Sequence, residues 1–486
     1  MSVRERVGVR SGELARWREN LEGWRVGRAW ATNGVLCLLG VGLLWLARQF
    51  VAEHAHYRIG FSGVSGWADV LYVASVVMVL TQPVNRATVW IVLGFAVAFR
   101  VATLRAEPFL STDIYRYVWD GMVQHAHISP YRYVPGDTAL GFLRARHPEI
   151  FNNINRRFYA HTIYPPVAEM IYWVVTCFSQ SVRGMKVAMF GFECVTAGAL
   201  MALLRLMGRR ATDVLLYAWC PLLVWEIGGA GHVDAAIMAF VALAMLFRYR
   251  EQPVWTGVFL GLAVMTKFYP LVLLPALWRR RDDGFPDWKM PVAVAGVCAV
   301  GYAAYASVGW RVFGFLGGYA KEEGIDSGAR FFLLDFAQRR LGWTWMSENE
   351  YLVLCVVVFA AIVVWAWRHA CGEQLGMGAR ISRPGYAMAA TMLAFALMLE
   401  FSPHYPWYIV WLVPLFAVMP SVPVLAYLMA FFYLFTTALA VPGEKMFLLD
   451  ERMYGVVIIA LAAGWAWRRW NLWRYFDVRG VEERAQ

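Results

Sequence analysis

Thr88-Val-Trp-Ile-Val-Leu-Gly-Phe-Ala-Val-Ala-Phe-Arg-Val-Ala-Thr-Leu104 gives way without a linker to Arg105-Ala-Glu-Pro-Phe-Leu-Ser-Thr-Asp-Ile-Tyr-Arg-Tyr-Val-Trp-Asp-Gly121. The first run approaches the ~20 apolar residues that a helix needs to cross the hydrocarbon core of a bilayer. The second opens a polar and aromatic interruption that lasts to Tyr164. Read together they give a membrane-crossing chain whose first long loop is the place to look for chemistry, because long ordered loops are disproportionately functional.

The rest of the chain supports that reading. Of 486 residues 60% are hydrophobic and only 16% charged, well below the ~25% charged residues of soluble domains. Mean hydropathy is +0.47. Apolar runs recur from Trp30–Ala47 to Tyr454–Trp467, and several are short enough that they must tilt or break inside the protein. The predicted fold class is an all-α polytopic membrane protein. Residues 1–28 form a basic cytoplasmic leader, 29–469 a single transmembrane domain of about 13–15 helices, and 470–486 a cytoplasmic tail. The two long loops are 105–164 and 310–350.

The net charge of +11 reads as topology, because Lys and Arg gather at the cytoplasmic ends of spans. No basic stripe lies in a soluble module, so nucleic acid is not an expected partner; membrane lipids are. Arg4 to Arg28 precede the first span without a cleavage site, which excludes a signal peptide. Placing this leader inside puts the 105–164 loop outside and makes Arg279, Arg280, Arg281, Arg368, Arg380, Arg383, Arg468, Arg469 and Arg474 inside. Arg205, Arg209 and Arg210 conflict: counting two spans after Tyr164 puts them outside, whereas the charge rule wants them inside. Either one of those two spans does not cross fully, or the loop breaks the rule. The seven cysteines are scattered, mostly in apolar runs, and suggest neither a disulfide framework nor a metal site.

Six polar constellations interrupt the apolar background. Ser111 or Thr112 can cap a helix from Asp113. On it Asp113, Arg116, Tyr117 and Asp120 share a face, being three or four residues apart. A carboxylate held by an arginine and tyrosines suits a general base that takes a proton from a hydroxyl; a solvated ion-pair stripe is the bland alternative. His127-Ile-Ser-Pro-Tyr-Arg-Tyr133 offers aromatics for a sugar ring or an interfacial belt. Tyr164-Pro-Pro166 starts the next helix. Gly228-Gly-Ala-Gly-His-Val-Asp234 allows close backbone approach, with His232 and Asp234 able to hold a hydroxyl or phosphate, or to cap a plain hairpin. Thr266-Lys-Phe-Tyr-Pro270 places Lys267 among apolar residues, where an ammonium needs a partner or must snorkel. Glu400-Phe-Ser-Pro-His-Tyr-Pro-Trp-Tyr408 brings His404 and Trp407 into a proline-shaped turn. Glu193, inside an apolar run, also needs a partner.

In this order the six blocks resemble the polyprenyl-phosphate-sugar-dependent glycosyltransferases of the GT-C fold. The nearest branch is the bacterial mannosyltransferase-like one, of the glycosyltransferase family 87 type. The resemblance covers about Arg105 to Trp411, with Ser129 standing where that family often has Asn. It implies a helix bundle with a large extracytoplasmic first loop containing short helices, sited in the bacterial cytoplasmic (inner) membrane. It implies transfer of a hexose, mannose by the nearest branch, from a polyprenyl-phosphate-linked donor to an extracytoplasmic lipid- or glycan-linked acceptor. Asp113 maps onto the catalytic base, and the product is inverted. Lys267, with His404 or Arg116, would offset the charge of the lipid phosphate. Asp120, Tyr117, His232, Asp234, Tyr164 and Trp407 would position acceptor or sugar. No cofactor and no metal is expected. The rival reading is a transporter or lipid-linked sugar flippase with Lys267, Glu193 and His404 along its pathway, although no internal repeat is visible.

Overall fold

The structure is a computed structural model, which describes residues 3–54, 61–108, 111–279, 285–324, 331–370, 385–440 and 446–469. Arg280, Arg281, Cys371, Arg380, Arg383, Arg474 and the predicted tail from 470 lie outside the described residues. Among the described residues there is no strand, and the chain is an all-α polytopic membrane protein. Five helices are long and apolar enough to cross a membrane: Val26–Val51, Gly63–Thr81, Arg86–Thr103, Val182–Leu206 and Glu348–Arg368. Lys289–Ala303 and Ala306–Glu322 form a further candidate, bent by 112°. These helices turn Trp30, Leu38, Trp90 and Val101 outward while Leu36, Tyr72, Val92 and Phe99 fill the interior. That is an inside-out pattern relative to a water-soluble domain, as a lipid-facing surface requires.

The broken elements match the short apolar runs. After Val182–Leu206 the chain returns through a 3₁₀ turn at Ala211–Val214, short helices at Leu215–Ala218 and Pro221–Leu223, and a π-helical turn at Val224–Gly229. Pro221 prevents one regular helix here. The backbone groups freed by the breaks are taken up by neighbours. Trp219 Nε1 donates to Val92 O (2.8 Å) while Tyr72 Oη donates to Leu216 O (2.5 Å). Arg100 donates to Ala218 O. This is the tolerated form of irregular backbone at membrane depth, buried in protein.

One end of the bundle gathers the arginines. Arg28 Nη2 donates to Gln82 Oε1 (2.6 Å), Arg210 Nη1 to Gln82 O (3.1 Å), and Arg209 Nη1 to Val418 O (2.6 Å). Tyr249 reaches Leu206 O and Arg279 pairs with Glu251 at this same end. The conflict over Arg205–Arg210 is thereby resolved in favour of the charge pattern. Val182–Leu206 runs antiparallel to Arg86–Thr103, with Glu193 opposite Arg100 and Lys186 opposite Ala106. Pro166–Phe178, only 13 residues, instead lies beside Asp113–His125, with Thr176 bonded to His125. It is shorter than the five helices long and apolar enough to cross a membrane.

The opposite end collects every polar constellation. Val167 N donates to Met265 O (2.9 Å), joining the Tyr164-Pro-Pro turn to the Lys267 turn. Gly231, at φ +76°, lies so close to Ile114 that a Cβ would collide with it. Only glycine gives both the left-handed backbone and that approach, so the glycine-rich turn is pressed against the Asp113 helix. The bent segment Ala306–Glu322 crosses this end, and Phe315 N donates to Thr162 O (3.2 Å).

Candidate active site

The predicted helix exists as Asp113–His125. Ser111 supplies the cap, its Oγ accepting from Asp113 N at 3.2 Å, whereas Thr112 makes no side-chain cap bond. The solvated-stripe alternative fails. Arg116 Nε meets both Asp120 oxygens at 2.8 Å, and the two side chains are 7% and 2% exposed. The face that was read as one unit splits by depth. Asp113 and Arg116 border a cavity of about 490 Å³, while Tyr117 and Asp120 lie behind them.

Asp113 is held from the loop that follows its helix: Asn155 Nδ2 donates to Oδ1 at 3.0 Å. Arg116 Nη1 donates to Ala160 O (3.1 Å), but its Nη2 has no hydrogen-bond partner although the residue is buried and lines the cavity. Glu169, buried near Asp120, accepts from Thr162 Oγ1 at 2.6 Å. Burial pushes the Asp120 carboxyl up from the ordinary carboxylate range, and Arg116 pulls it back.

Across the cavity, Lys267 Nζ is 2.5 Å from Asp234 Oδ2 and Tyr269 Oη is 2.5 Å from Oδ1. Asp234 is wholly buried and accepts from both groups. The Lys267 ammonium also lies 5.7 Å from the centre of the Tyr408 ring, a cation–π contact. His232 stacks beneath Trp407, ring centres 4.7 Å apart and planes within 18°, and Tyr405 stacks with Trp407 at 4.5 Å. Trp407, Tyr405, Tyr408 and Tyr164 line the cavity. Stacked aromatic faces suit the C–H face of a sugar or an isoprenoid chain.

Asp113, Arg116, Lys267, Tyr164 and Trp407 therefore come together at the cavity, with Asp120, Tyr117, His232 and Asp234 as a buried layer behind. His404 shares the turn of Trp407 but is not among the lining residues. Glu193 finds its partner in Arg100, at 2.6 and 3.1 Å with both groups buried, away from the cavity. Sequence reasoning missed Asn155, Arg156, His161, Glu169 and Glu226. Asn155, Arg156 and His161 sit in irregular loop, where no helical spacing links them to Asp113. Glu226 faces His232 at 3.4 Å, with no hydrogen-bond partner for either side chain. Burial and the charges of Arg116 and Arg311 push the His161 imidazole down from its ordinary value, so it is a neutral wall at pH 7. No group of three or more His, Cys, Asp or Glu with metal-binding geometry occurs among the described residues.

The model of the alpha-(1->6)-mannopyranosyltransferase N-terminal domain matches residues 8–279, more than half of the chain. The chain belongs to this family. Glycosyltransferase family 87 matches residues 162–403, overlapping it and continuing through the Trp407 side of the bundle as far as Pro403. No curated protein and no solved structure matches. The two matched regions jointly contain Asp113, Asn155, Asp234 and Lys267, so most of the cavity lies within family sequence. The chain is a GT-C-like membrane glycosyltransferase of mannosyltransferase type, as the order of the six blocks implied.

Proposed function

We propose that this glycosyltransferase moves a hexose, mannose by its family, from a polyprenyl-phosphate-linked donor to a lipid- or glycan-linked acceptor, with Asp113 as general base. The observation that carries the reading is the placement of Asp113. Its carboxylate is fixed by Asn155 on one wall of a 490 Å³ cavity whose other walls carry Lys267, Arg116 and a stack of aromatic rings. A carboxylate accepts the acceptor's hydroxyl proton as the oxygen attacks the anomeric carbon. The bond from that carbon to the phosphate oxygen breaks on the opposite face, so the configuration inverts. A phosphate leaves as an anion and needs no general acid, so the two opposed carboxylates of a glycosidase are not required. Preorganised N–H donors from Arg116 and Lys267 stabilise the charge growing on the departing phosphate.

The orientation follows from charge. Arg28, Arg209, Arg210 and Arg279 sit at the end opposite the cavity, and the excess of such residues on cytoplasmic ends supports an extracytoplasmic cavity in the bacterial cytoplasmic membrane. The test is transfer by purified protein from a synthetic polyprenyl-phosphate mannose to envelope glycolipid extracts, wild type against Asp113→Asn. Product from wild type and a loss of about 10²–10⁴-fold in the variant is the expected result; near-normal turnover by a folded Asp113→Asn protein overturns the assignment.

A further inference from the structure

Among the described residues, Arg116, Lys267 and Arg156 line the cavity beside Glu323, and the carboxylate pairs of these three cations differ in one respect. Arg116–Asp120 is 7% and 2% exposed, and Lys267–Asp234 is 15% and 0% exposed. In both, the carboxylate is sealed in protein. A ligand that drew the cation away would leave a buried carboxylate uncompensated, which is strongly unfavourable. Their charges are already neutralised in place.

Arg156–Glu322 is different. Both side chains are 30% exposed, with Nε 2.5 Å from Oε2. Arg156 lines the cavity, next in sequence to Asn155, which holds Asp113. Its guanidinium lies 5.5 Å from the centre of the Tyr319 ring. It adopts φ +53° without being glycine, a conformation that non-glycine residues seldom occupy and that clusters at ligand sites. Glu322 comes from the bent segment Ala306–Glu322, which Phe315 ties to Thr162 and Gly314 packs against Thr162 O. If an anion displaced Glu322, the freed carboxylate would remain in water, and exposed pairs exchange partners at little cost.

We propose that Arg156 is the exchangeable anion-binding cation of this cavity, that Glu322 is its resting counter-ion, and that the ligand which replaces Glu322 is the phosphate of a lipid-phosphate sugar. The identity of that ligand rests on the function proposed above; the exchange itself rests on the geometry of the three pairs. The bent segment thus supplies a competitor for the donor. The competition sets donor affinity.

The discriminating experiment compares Arg156→Gln, Glu322→Gln and the double variant in full-length protein in nanodiscs. The donor KM is measured, together with equilibrium binding of citronellyl phosphate, a short isoprenoid phosphate that carries no sugar. Competition requires opposite signs. Arg156→Gln should weaken binding about tenfold and Glu322→Gln should tighten it about threefold to fivefold. In the double variant the gain from Glu322→Gln should vanish. A merely structural latch gives the same sign for both single variants, and that result overturns the proposal, as does unchanged binding. If Arg156→Gln does not fold, Arg156→Gly, which suits the left-handed backbone, takes its place. If wild type binds citronellyl phosphate with these opposite responses but transfers no hexose, the proposed function fails and the exchange stands. If transfer proceeds and the signs agree, the reverse holds.

Discussion

Lys267 donates to Asp234 over 2.5 Å, and the carboxylate that receives it is completely buried while the lysine remains 15% exposed. The pair joins the start of the Asp234–Tyr249 helix to the turn after Pro253–Val264, and so fixes two elements at the cavity end. Removing one partner leaves an unpaired charge in a low-dielectric site, a loss of about 3–5 kcal/mol. Lys267→Met and Asp234→Asn should each lower the thermal midpoint of the detergent-solubilised protein. Because they remove the same interaction, the double variant should lose clearly less than the sum. Additive losses would show that the two groups do not depend on one another.

Asn155 acts on Asp113 through one hydrogen bond of 3.0 Å. Asn155→Ala keeps the base but frees its carboxylate to rotate. Orientation of a catalytic group is worth a part of its total contribution, so kcat should fall about tenfold, far less than in Asp113→Asn, with little change in donor KM. The measurement is steady-state transfer with both substrates varied. A kcat equal to wild type would remove Asn155 from the positioning of Asp113.

Much of the site could be read from the chain because its parts are short, local and polar in an apolar background. Asp113, Arg116 and Asp120 fall on one helix, where spacing fixes their relation. Lys267 announces itself by being a charge among apolar residues. Its pairing with Asp234, 33 positions away, is tertiary and leaves no local mark. Asn155 and Arg156 are ordinary loop residues by composition, and only the return of the loop over the Asp113 helix gives them a role. The unresolved orientation of Arg209 had a similar cause. Pro166–Phe178 is apolar enough to look like a crossing element, and its packing along Asp113–His125 is a tertiary contact that the chain does not announce. The breaks between Ala211 and Gly229 are foreshadowed by Pro221 alone.

Glu193 is paired with Arg100, and both are buried. Glu193→Gln should therefore destabilise the fold, by about 3–5 kcal/mol, with no specific change in donor KM among the molecules that remain folded. Thermal unfolding and transfer assays on monodisperse protein check both halves. A large change in donor KM at normal stability would tie this pair to substrate passage instead.

His161 lines the cavity outside the membrane-spanning helices, and burial together with Arg116 and Arg311 depresses its affinity for a proton. The unfolded chain protonates this imidazole near its ordinary pKa of about 6.5, whereas the folded protein resists until a lower pH. Between those two values the unfolded state binds more protons, so stability rises with pH. The contribution is complete above about pH 6.5, is lost progressively as pH falls toward the folded pKa, and changes no further below it. His161→Gln should flatten the dependence of unfolding on pH in that window and leave stability at pH 8 nearly unchanged. Chemical unfolding at a series of pH values reads this directly. An equally steep profile in the variant would assign the dependence to another group, and a loss of stability at pH 8 would give His161 a packing role that its partly exposed position at the cavity wall does not suggest.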